Sequence, residues 1–572
     1  MNVLARLRER FAAAAPEGVA PVDFAAAVRP STDPKFGDYQ ANGCMAAAKA
    51  AGRNPRELAA QVSGIVDLAP LAGRPEVAGP GFLNVRVDDA WLAGALGDLM
   101  DDPALGVEAP ALLKTYVIDY SSPNVAKPMH VGHVRSTVIG ESLSRLLETL
   151  GHRVVRDNHL GDWGSQFGMI LWGWKHHRDE AAYEAGPVVE LARLYRLAQD
   201  KIKAKEAGVE EATRAETAKL HAGDPENRAL WDQFMPHCLA ALGAMYDRLG
   251  VRFDVQLGES FYDPMLAGVV ADLEARGLAV ASEGATVVFT EATKVPMLVR
   301  KSDGAYNYAT TDLATIKYRN DEWRPDACLY VVDHRQGDHF KQLFEVAGRW
   351  GYGDVELKHV AFGTILGADR RPFKTRDGDV VGLESLLDQA VAEARAVIDE
   401  NSPDLDPAER ARVAEIVGIG AIKYADLSQN RTSDYVFDWK KMLAMNGNTA
   451  TYLQYAYARI RSIFRKGEVD PAALRDARSA ILLDHPTERN LGMALVRFPE
   501  VLDLAADDFK PNLLTDYLFA TANAYSSFYD ACPVLKADTE PLRASRLALC
   551  DLTARVLAKG LHILGIEVVE RM

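Results

Sequence analysis

Cysteine is scarce in this 572-residue chain, with only Cys44, Cys238, Cys328, Cys532 and Cys550. The five are scattered, odd in number and never spaced C-x-x-C, which excludes a disulfide framework and a cysteine-rich zinc site and suits a reducing cytosol. No apolar run approaches the ~20 residues that a bilayer span needs. The N-terminus, MNVLARLRERF, is charged from its first turns and has no signal-peptide core. A cytoplasmic protein without a membrane partner is expected. Internal repeats and low-complexity blocks are also missing. Basic charge is in deficit, with 65 Lys and Arg against 80 Asp and Glu and a net charge of −15. That argues against indiscriminate nucleic-acid binding, which needs a basic surface, but leaves room for a local basic face. Hydrophobic residues at 48% and charged residues at 25% exclude global disorder and a collagen-like fibre. At roughly 150 residues per domain, the length suggests about three or four domains.

The chain changes character along its length. Residues 1–110 mix helical stretches with a turn at Gly79-Pro80-Gly81 and a short strand from Phe82 to Val87, and end in the linker-like DDPALGVEAP. Strands and helices then alternate. Thr115 to Ser121, His152 to Arg156 and Leu329 to Asp333 read as strands; Ser136 to Leu150 and His339 to Trp350 read as helices. This alternation predicts a doubly wound parallel sheet over 111–382, with a ligand at the carboxyl ends of the strands. A charged, Ala-rich stretch at about 179–235 reads as an inserted helical hairpin. From 383 to 572 the apolar spacing is helical and predicts a bundle.

The strongest chemical signal is SSPNVAKPMHVGH, Ser121 to His133, just after a strand and just before a helix. A helix N-terminus offers backbone N–H groups and a dipole that favour phosphate. His130 and His133 can add donors as charge develops on phosphate oxygens. Gly132 lets a flat base approach the backbone. The stretch fits an ATP site for attack on the α-phosphate. A bare H-x-G-H also arises by chance, and two histidines three apart can be a surface pair; the strand–helix context and the flanking SPN-x-AK favour function.

HVGH preceded by SSPNVAKPM resembles the HIGH signature of class I aminoacyl-tRNA synthetases. The extended pattern, with RSTVIG and then GDWGSQFG from Gly161 to Gly168, resembles the arginyl-tRNA synthetases. The likeness runs along nearly the whole chain, through GDYQAN, GFLN, FPEVLDLAA, FYDACPVL and the terminal LGIEVVERM. It implies an α/β Rossmann-type catalytic domain, an α+β N-terminal domain that reads the tRNA elbow, and an all-α anticodon-binding bundle at the C-terminus. It implies a ligase that activates L-arginine with ATP and charges tRNA(Arg), as a monomer. One departure is the loop Arg371-Pro372-Phe373-Lys374-Thr375-Arg376, where class I enzymes usually carry KMSKS. In the family a lysine just upstream of the HIGH histidines is thought to compensate; here it is Lys127. A flexible ammonium can reach phosphate from either side. Lys127 and Lys374 are the candidate catalytic lysines; Lys374 alone would pass for a solvated loop residue.

A guanidinium is planar, always charged and best paired with carboxylates. The resemblance points to Glu259 in QLGES and to Tyr308 and Asp312 in NYATTD, four apart and so on one helical face. Asn124 and Gln336 match positions that hold the amino acid's backbone end. Asp312 could instead cap a helix. Magnesium is expected mainly on ATP oxygens, since it keeps waters and needs few protein ligands. Asp333-His334-x-x-x-Asp338-His339 is a rival metal signature, but no second cluster accompanies it, and no protein-held zinc or other metal site is expected. For RNA, Thr449 to Lys466, TATYLQYAYARIRSIFRK, is basic and aromatic and carries no acid. Its aromatics could equally be core. With the resemblance, Tyr452, Arg459 and Arg461 are anticodon-side candidates, and Phe82 and Asn84 elbow-side candidates. Two rivals remain: a small H-x-G-H nucleotidyltransferase, disfavoured by the long flanking segments, and a non-catalytic RNA-binding paralogue, disfavoured by the intact HVGH, Lys127, Glu259 and Asp312.

Overall fold

The computed structural model describes residues 1–371, 373, 381–402 and 404–572. Two units emerge. One comprises residues 110–444 with 563–566; the other comprises 1–109, 445–562 and 567–572.

The first unit is built on β1 (Thr115–Asp119), α1 (Val131–Thr149), β2 (Arg153–Leu160), β3 (Val255–Gly258), α2 (Glu259–Ala275), α3 (Tyr308–Trp323), β4 (Ala327–Tyr330), α4 (Gly337–Ala347) and β5 (Glu356–His359). All five strands are parallel, in the order β5-β4-β1-β2-β3. The order reverses between β1 and β4, which opens a crevice at their carboxyl ends. The interior strand β4 (ACLY) is buried throughout, while the edge strand β5 (ELKH) alternates exposed and half-buried. Helices Ser165–His177, Glu180–Ala185, Pro187–Lys203, Val209–His221 and Pro225–Arg248 are inserted between β2 and β3. A three-stranded antiparallel sheet, Ala279–Ser282, Ala285–Val288 and Met297–Arg300, separates α2 from α3. Val117, Tyr262, Leu313, Phe340 and Trp350 share one core.

Two buried arginines tie this core together. Arg319 of α3 is fully buried, donates from Nε to Asp157 of β2 at 2.9 Å and from Nη2 to Asp119 of β1 at 2.7 Å, and lies 5.3 Å from the Tyr330 ring of β4. Arg135, one turn into α1, stands 3.0 Å from the buried Asp426 and donates to the Ser433 carbonyl at 3.0 Å. Asp426 lies on helix Pro407–Leu427, which packs on Leu383–Asn401. A Cβ on Gly418 would meet the Ala390 carbonyl oxygen at 2.7 Å, so these two helices touch backbone to backbone. Both belong to the sheet-bearing unit, whereas the sequence reading groups them with the C-terminal helices. Helical periodicity registers an apolar face but not which neighbour closes it.

The second unit joins the two ends of the chain. An antiparallel sheet runs in the order Val28–Pro30, Tyr39–Ala41, Phe82–Val85, Glu76–Ala78. The Tyr39 hydroxyl donates to the buried Glu500 at 2.7 Å, and Arg489 donates to both oxygens of Asp38 at 3.0 and 2.8 Å. Residues 1–109 and the helices from Ala450 onward thus share one set of buried polar contacts, although the sequence separates them by more than 300 residues. Among the described residues, no helix is long and apolar enough to cross a membrane.

Breaking a buried ion pair strands an uncompensated charge, which costs about 3–5 kcal/mol. Arg319→Met is expected to lower the stability of the sheet-bearing unit by that amount in urea melts. Lys317→Met, which removes an exposed pair with Asp321 on the same helix, should change it by less than about 1 kcal/mol.

Candidate active site

The HVGH turn begins α1, the first helix after β1, at the switch-point crevice. His130 is the N-cap, and its Nδ1 accepts from the Gly132 N–H at 3.1 Å. His133 completes a reciprocal capping box: its Nδ1 accepts from the His130 N–H at 3.0 Å. Each ring spends Nδ1 on a backbone donor, so each neutral imidazole carries its proton on Nε2. The rings lie 4.0 Å apart, tilted by 30°. Burial holds the His133 pKa down to about 3, with help from neighbouring His130, and burial followed by Lys127 lowers that of His130. At neutral pH the turn offers two uncharged N–H donors of fixed tautomer. Gly132 is exposed, and a Cβ on it would stand 2.8 Å from His130 Cε1. The glycine therefore makes room for the capping imidazole as well as leaving the backbone open.

Lys127 follows a tight turn in which its N–H reaches the Asn124 carbonyl. Its ammonium lies 4.8 Å from the centre of the Tyr195 ring on the inserted helix Pro187–Lys203. Asn124 bridges to Gly161, the first residue of GDWGSQFG, and Val125 donates to the Gly161 carbonyl. Lys374 lies outside the described residues.

Across the crevice the charge is negative. Glu259 opens α2 at the end of β3. Burial raises its pKa most, and Asp162 and Asp312 raise it further, while His159 opposes them. The structure thus brings Glu259 and Asp312 into one field. Asp312 and Tyr308 lie on the first turns of α3, and both meet His339: its Nε2 is 2.6 Å from Asp312 Oδ2, and its ring is 4.8 Å from that of Tyr308. Gln336 is exposed on the turn after β4, just before α4.

Sequence reasoning gave no role to Asp162, which organises the acidic side. Its carboxylate accepts from the Ser260 N–H at 2.9 Å and the Ser260 hydroxyl at 2.6 Å, fixing the turn that carries Glu259. A Cβ on Gly258 would fall 2.0 Å from Asp162 Oδ2. The GDWG motif was the available signal. His339 likewise stands in the rival metal signature, whose members are engaged elsewhere. Asp333 holds Arg335, Asp338 holds Lys341, and His334 Nδ1 meets the Phe362 carbonyl at 3.1 Å. Among the described residues, no group of three or more His, Cys, Asp or Glu is placed to hold a metal ion.

In the other unit, helix Ala450–Gly467 has two polar faces. Tyr457, Arg461 and Arg465 turn to the chain's own tail: Glu570 accepts from the Tyr457 hydroxyl at 2.9 Å and from Arg461 at 2.9 Å. Tyr452, Tyr455, Arg459 and Lys466 lie on the opposite face. There Arg459 sits 4.3 Å over the Tyr529 ring, and Tyr455 is 38% exposed. The geometry keeps Tyr452 and Arg459 together and takes Arg461 away to a carboxylate. Phe82 is half-buried, but Asn84 is buried and accepts from Gln40 at 2.8 Å across the strand pair. The strand is buried on both faces from Leu83 to Val85, so Asn84, an elbow-side candidate in the sequence, lies inside the sheet with Gln40 as its partner.

Comparison with known proteins agrees along the whole chain. Residues 99–439 match the family model "tRNA synthetases class I (R), catalytic domain". Residues 453–572 match "DALR anticodon binding domain", and residues 3–87 match "Arginyl tRNA synthetase N terminal domain". The chain is 45% identical to the arginine–tRNA ligase of Rhodopirellula baltica, covering 96% of this chain and 97% of that one. It is equally 45% identical to the arginine–tRNA ligase of Salmonella arizonae, with both chains fully covered. The crystal structure of the Plasmodium falciparum arginyl-tRNA synthetase superimposes with a TM-score of 0.83 at 27% identity, covering 100% of this chain and 98% of that one.

Two neutral, Nε2-protonated imidazoles are expected in nitrogen-15 NMR of histidine-labelled protein at pH 7, with His133 still neutral at pH 5. The folded pKa of His133, about 3, lies below the ordinary 6.5. Between those values the unfolded chain binds the extra proton, so stability should fall as pH drops through 6.5 and level off near 3. His133→Asn, which cannot charge, should flatten that slope in acid-range urea melts.

Proposed function

The chain belongs to the class I arginyl-tRNA synthetases, and on that premise we propose how its residues divide the reaction. As an arginine–tRNA ligase it joins arginine to tRNA at the expense of ATP. The observation that carries the assignment of roles is the HVGH turn at a helix N-terminus, whose two imidazoles give Nδ1 to the backbone and keep the Nε2–H free to donate.

In the first step a carboxylate oxygen of L-arginine attacks the α-phosphorus of ATP. The bond from that phosphorus to the β-side bridging oxygen breaks, pyrophosphate leaves and arginyl-adenylate forms. Little covalent help is needed, because the nucleophile is already an anion; positioning and stabilisation of phosphoryl charge suffice. His130 and His133 donate from Nε2 to phosphate oxygens, and Gly132 leaves the adenosine side open. Lys127 leaves the Tyr195 face to meet the same oxygens, with Lys374 reaching the pyrophosphate end. The donor set here, two imidazole N–H groups and an ammonium, fits anionic oxygens rather than a cation. Magnesium would therefore arrive on the triphosphate, where it neutralises charge. Glu259 and Asp312 receive the guanidinium, Tyr308 packs on its stem, and Asn124 and Gln336 hold the backbone end. In the second step a hydroxyl of the 3′-terminal ribose attacks the adenylate carbonyl and AMP leaves.

For tRNA(Arg), the face made by Tyr452 and Arg459 supplies stacking and a cation, and the Phe82 edge serves the elbow side. We read the active species as a cytoplasmic monomer. A sedimenting mass near 62.6 kDa would bear this out, and twice that mass would overturn it.

ATP–pyrophosphate exchange over a panel of amino acids, with and without tRNA, tests the whole reading. Exchange is expected with arginine alone. A folded chain that binds tRNA and exchanges with no amino acid would overturn it in favour of a non-catalytic paralogue. His133→Ala should cut the activation rate by about 10²–10³-fold and leave arginine affinity within a few fold. Asp312→Asn should do the reverse, weakening arginine binding by about 1.5–3 kcal/mol, the worth of a charged hydrogen bond. Equal losses in both quantities for both variants would mean that these residues only support folding.

A further inference from the structure

We propose that the inserted helices serve catalysis through Tyr195, as an aromatic rest that aims the Lys127 ammonium at the phosphate site; this builds on the role given to Lys127 above. Lys127 is half-buried, and Tyr195 is 8% exposed with its ring 4.8 Å from the ammonium. The ring is held by its own helix, for Gln199 donates to the Tyr195 hydroxyl at 3.1 Å. The helix is held in turn by Ser165–His177, where a Cβ on Gly173 would stand 3.0 Å from Leu194 Cβ and 3.2 Å from the Leu194 carbonyl oxygen. Backbone-close packing thus sets the residue beside Tyr195. The same GDWGSQFG segment that starts helix Ser165–His177 also receives the Asn124 bridge that fixes the base of Lys127. One motif locates both the root of the lysine and the surface under its tip.

The choice of partner matters chemically. A carboxylate would neutralise Lys127 and compete with the triphosphate for it. An aromatic face attracts the cation through its quadrupole, leaves its full charge available, and gives it up readily to an anion. It also removes rotamer freedom from a four-carbon stem before substrate arrives. Tyr195 is accordingly a positioning residue: it acts on the reaction only through Lys127. The alternative is that Tyr195 merely fills the insertion's core.

Four variants separate these roles in arginine-dependent ATP–pyrophosphate exchange. Tyr195→Leu is expected to lower kcat by about tenfold with the KM for arginine within twofold. Tyr195→Phe keeps the ring and should restore kcat to within about twofold. Lys127→Met should lose at least as much as Tyr195→Leu, and adding Tyr195→Leu to it should cost no more than about another twofold, since the pad then has nothing to hold. Additive losses in the double variant, or equal losses for Leu and Phe, would overturn the proposal. So would an unchanged kcat in Tyr195→Leu while Lys127→Met is crippled. If Lys127→Met itself retains full activity, the role of Lys127 fails first and the proposal falls with it. Thermal melts of each variant show whether a loss of activity follows a loss of fold.

Discussion

A buried guanidinium sets the height of everything above the sheet. Arg319 joins Asp119, the last residue of β1, to Asp157 within β2, while its plane lies against Tyr330 at the end of β4. Three neighbouring strands and helix α3 therefore share one charged contact. Asp312 lies seven residues earlier on α3, on the same helical face two turns up. The contact that locks α3 to the sheet also fixes where Asp312 stands relative to the HVGH turn, which follows β1. Exclusion of water from this contact makes it stiff, because losing the guanidinium would leave two buried acids without their ion-pair partner. Arg135 repeats the device on α1: pairing with Asp426 anchors the first turns of the helix whose cap is His130.

Above that base the site divides by charge. On the proposed phosphate side the imidazoles are neutral, because burial opposes protonation, with His130 adding to it at His133 and Lys127 at His130, and their Nδ1 atoms already serve the backbone. Neutral donors lose less solvation on meeting a phosphate than imidazolium would, and they keep the pocket from binding any stray anion tightly. On the opposite side, Glu259 feels Asp162 and Asp312 as well as burial. Like charges at close range are relieved by a cation and by nothing neutral. An uncharged side chain of arginine's shape would leave that repulsion in place and strand the carboxylates. In the proposed reading, selectivity comes from repulsion between these carboxylates, which a guanidinium relieves with geometry suited to two of them.

Legibility followed contiguity. The HVGH turn, its strand and its helix lie within one short stretch, so motif and context could be read together. Strands β1, β2 and β4 show as apolar runs; β3 (VQLG) and β5 (ELKH) do not, because edge strands alternate and carry polar residues. The contacts that build the site join residues far apart in sequence. Asp162 meets Ser260 98 residues on, and Arg319 reaches Asp119 across 200. No window-based pattern contains both partners. The acids at the ends of VID and VRD were visible, and two acids in apolar strands hint at a buried cation, but nothing local names Arg319. Periodicity also marked helices Leu383–Asn401 and Pro407–Leu427 without revealing that Asp426 and the Gly418 contact commit them to the sheet-bearing unit.

The basic helix shows why charge counts mislead in an acidic chain. Four cations between Arg459 and Lys466 look like one RNA-facing stripe, yet helical geometry puts Arg459 and Lys466 on one side and Arg461 and Arg465 on the other. The second pair is answered by Glu570 of the chain's own tail. Its phenolic neighbour Tyr457 is bound by the same carboxylate, so the tail takes the whole face. Arg459 has a ring instead of an acid beneath it, which holds the guanidinium flat and leaves its charge unspent. On this proposed RNA face, an approaching phosphate or unstacked base would meet the Arg459 guanidinium and the Tyr455 ring. The positive face of this chain is thus made by where its acids are, more than by how many bases it has.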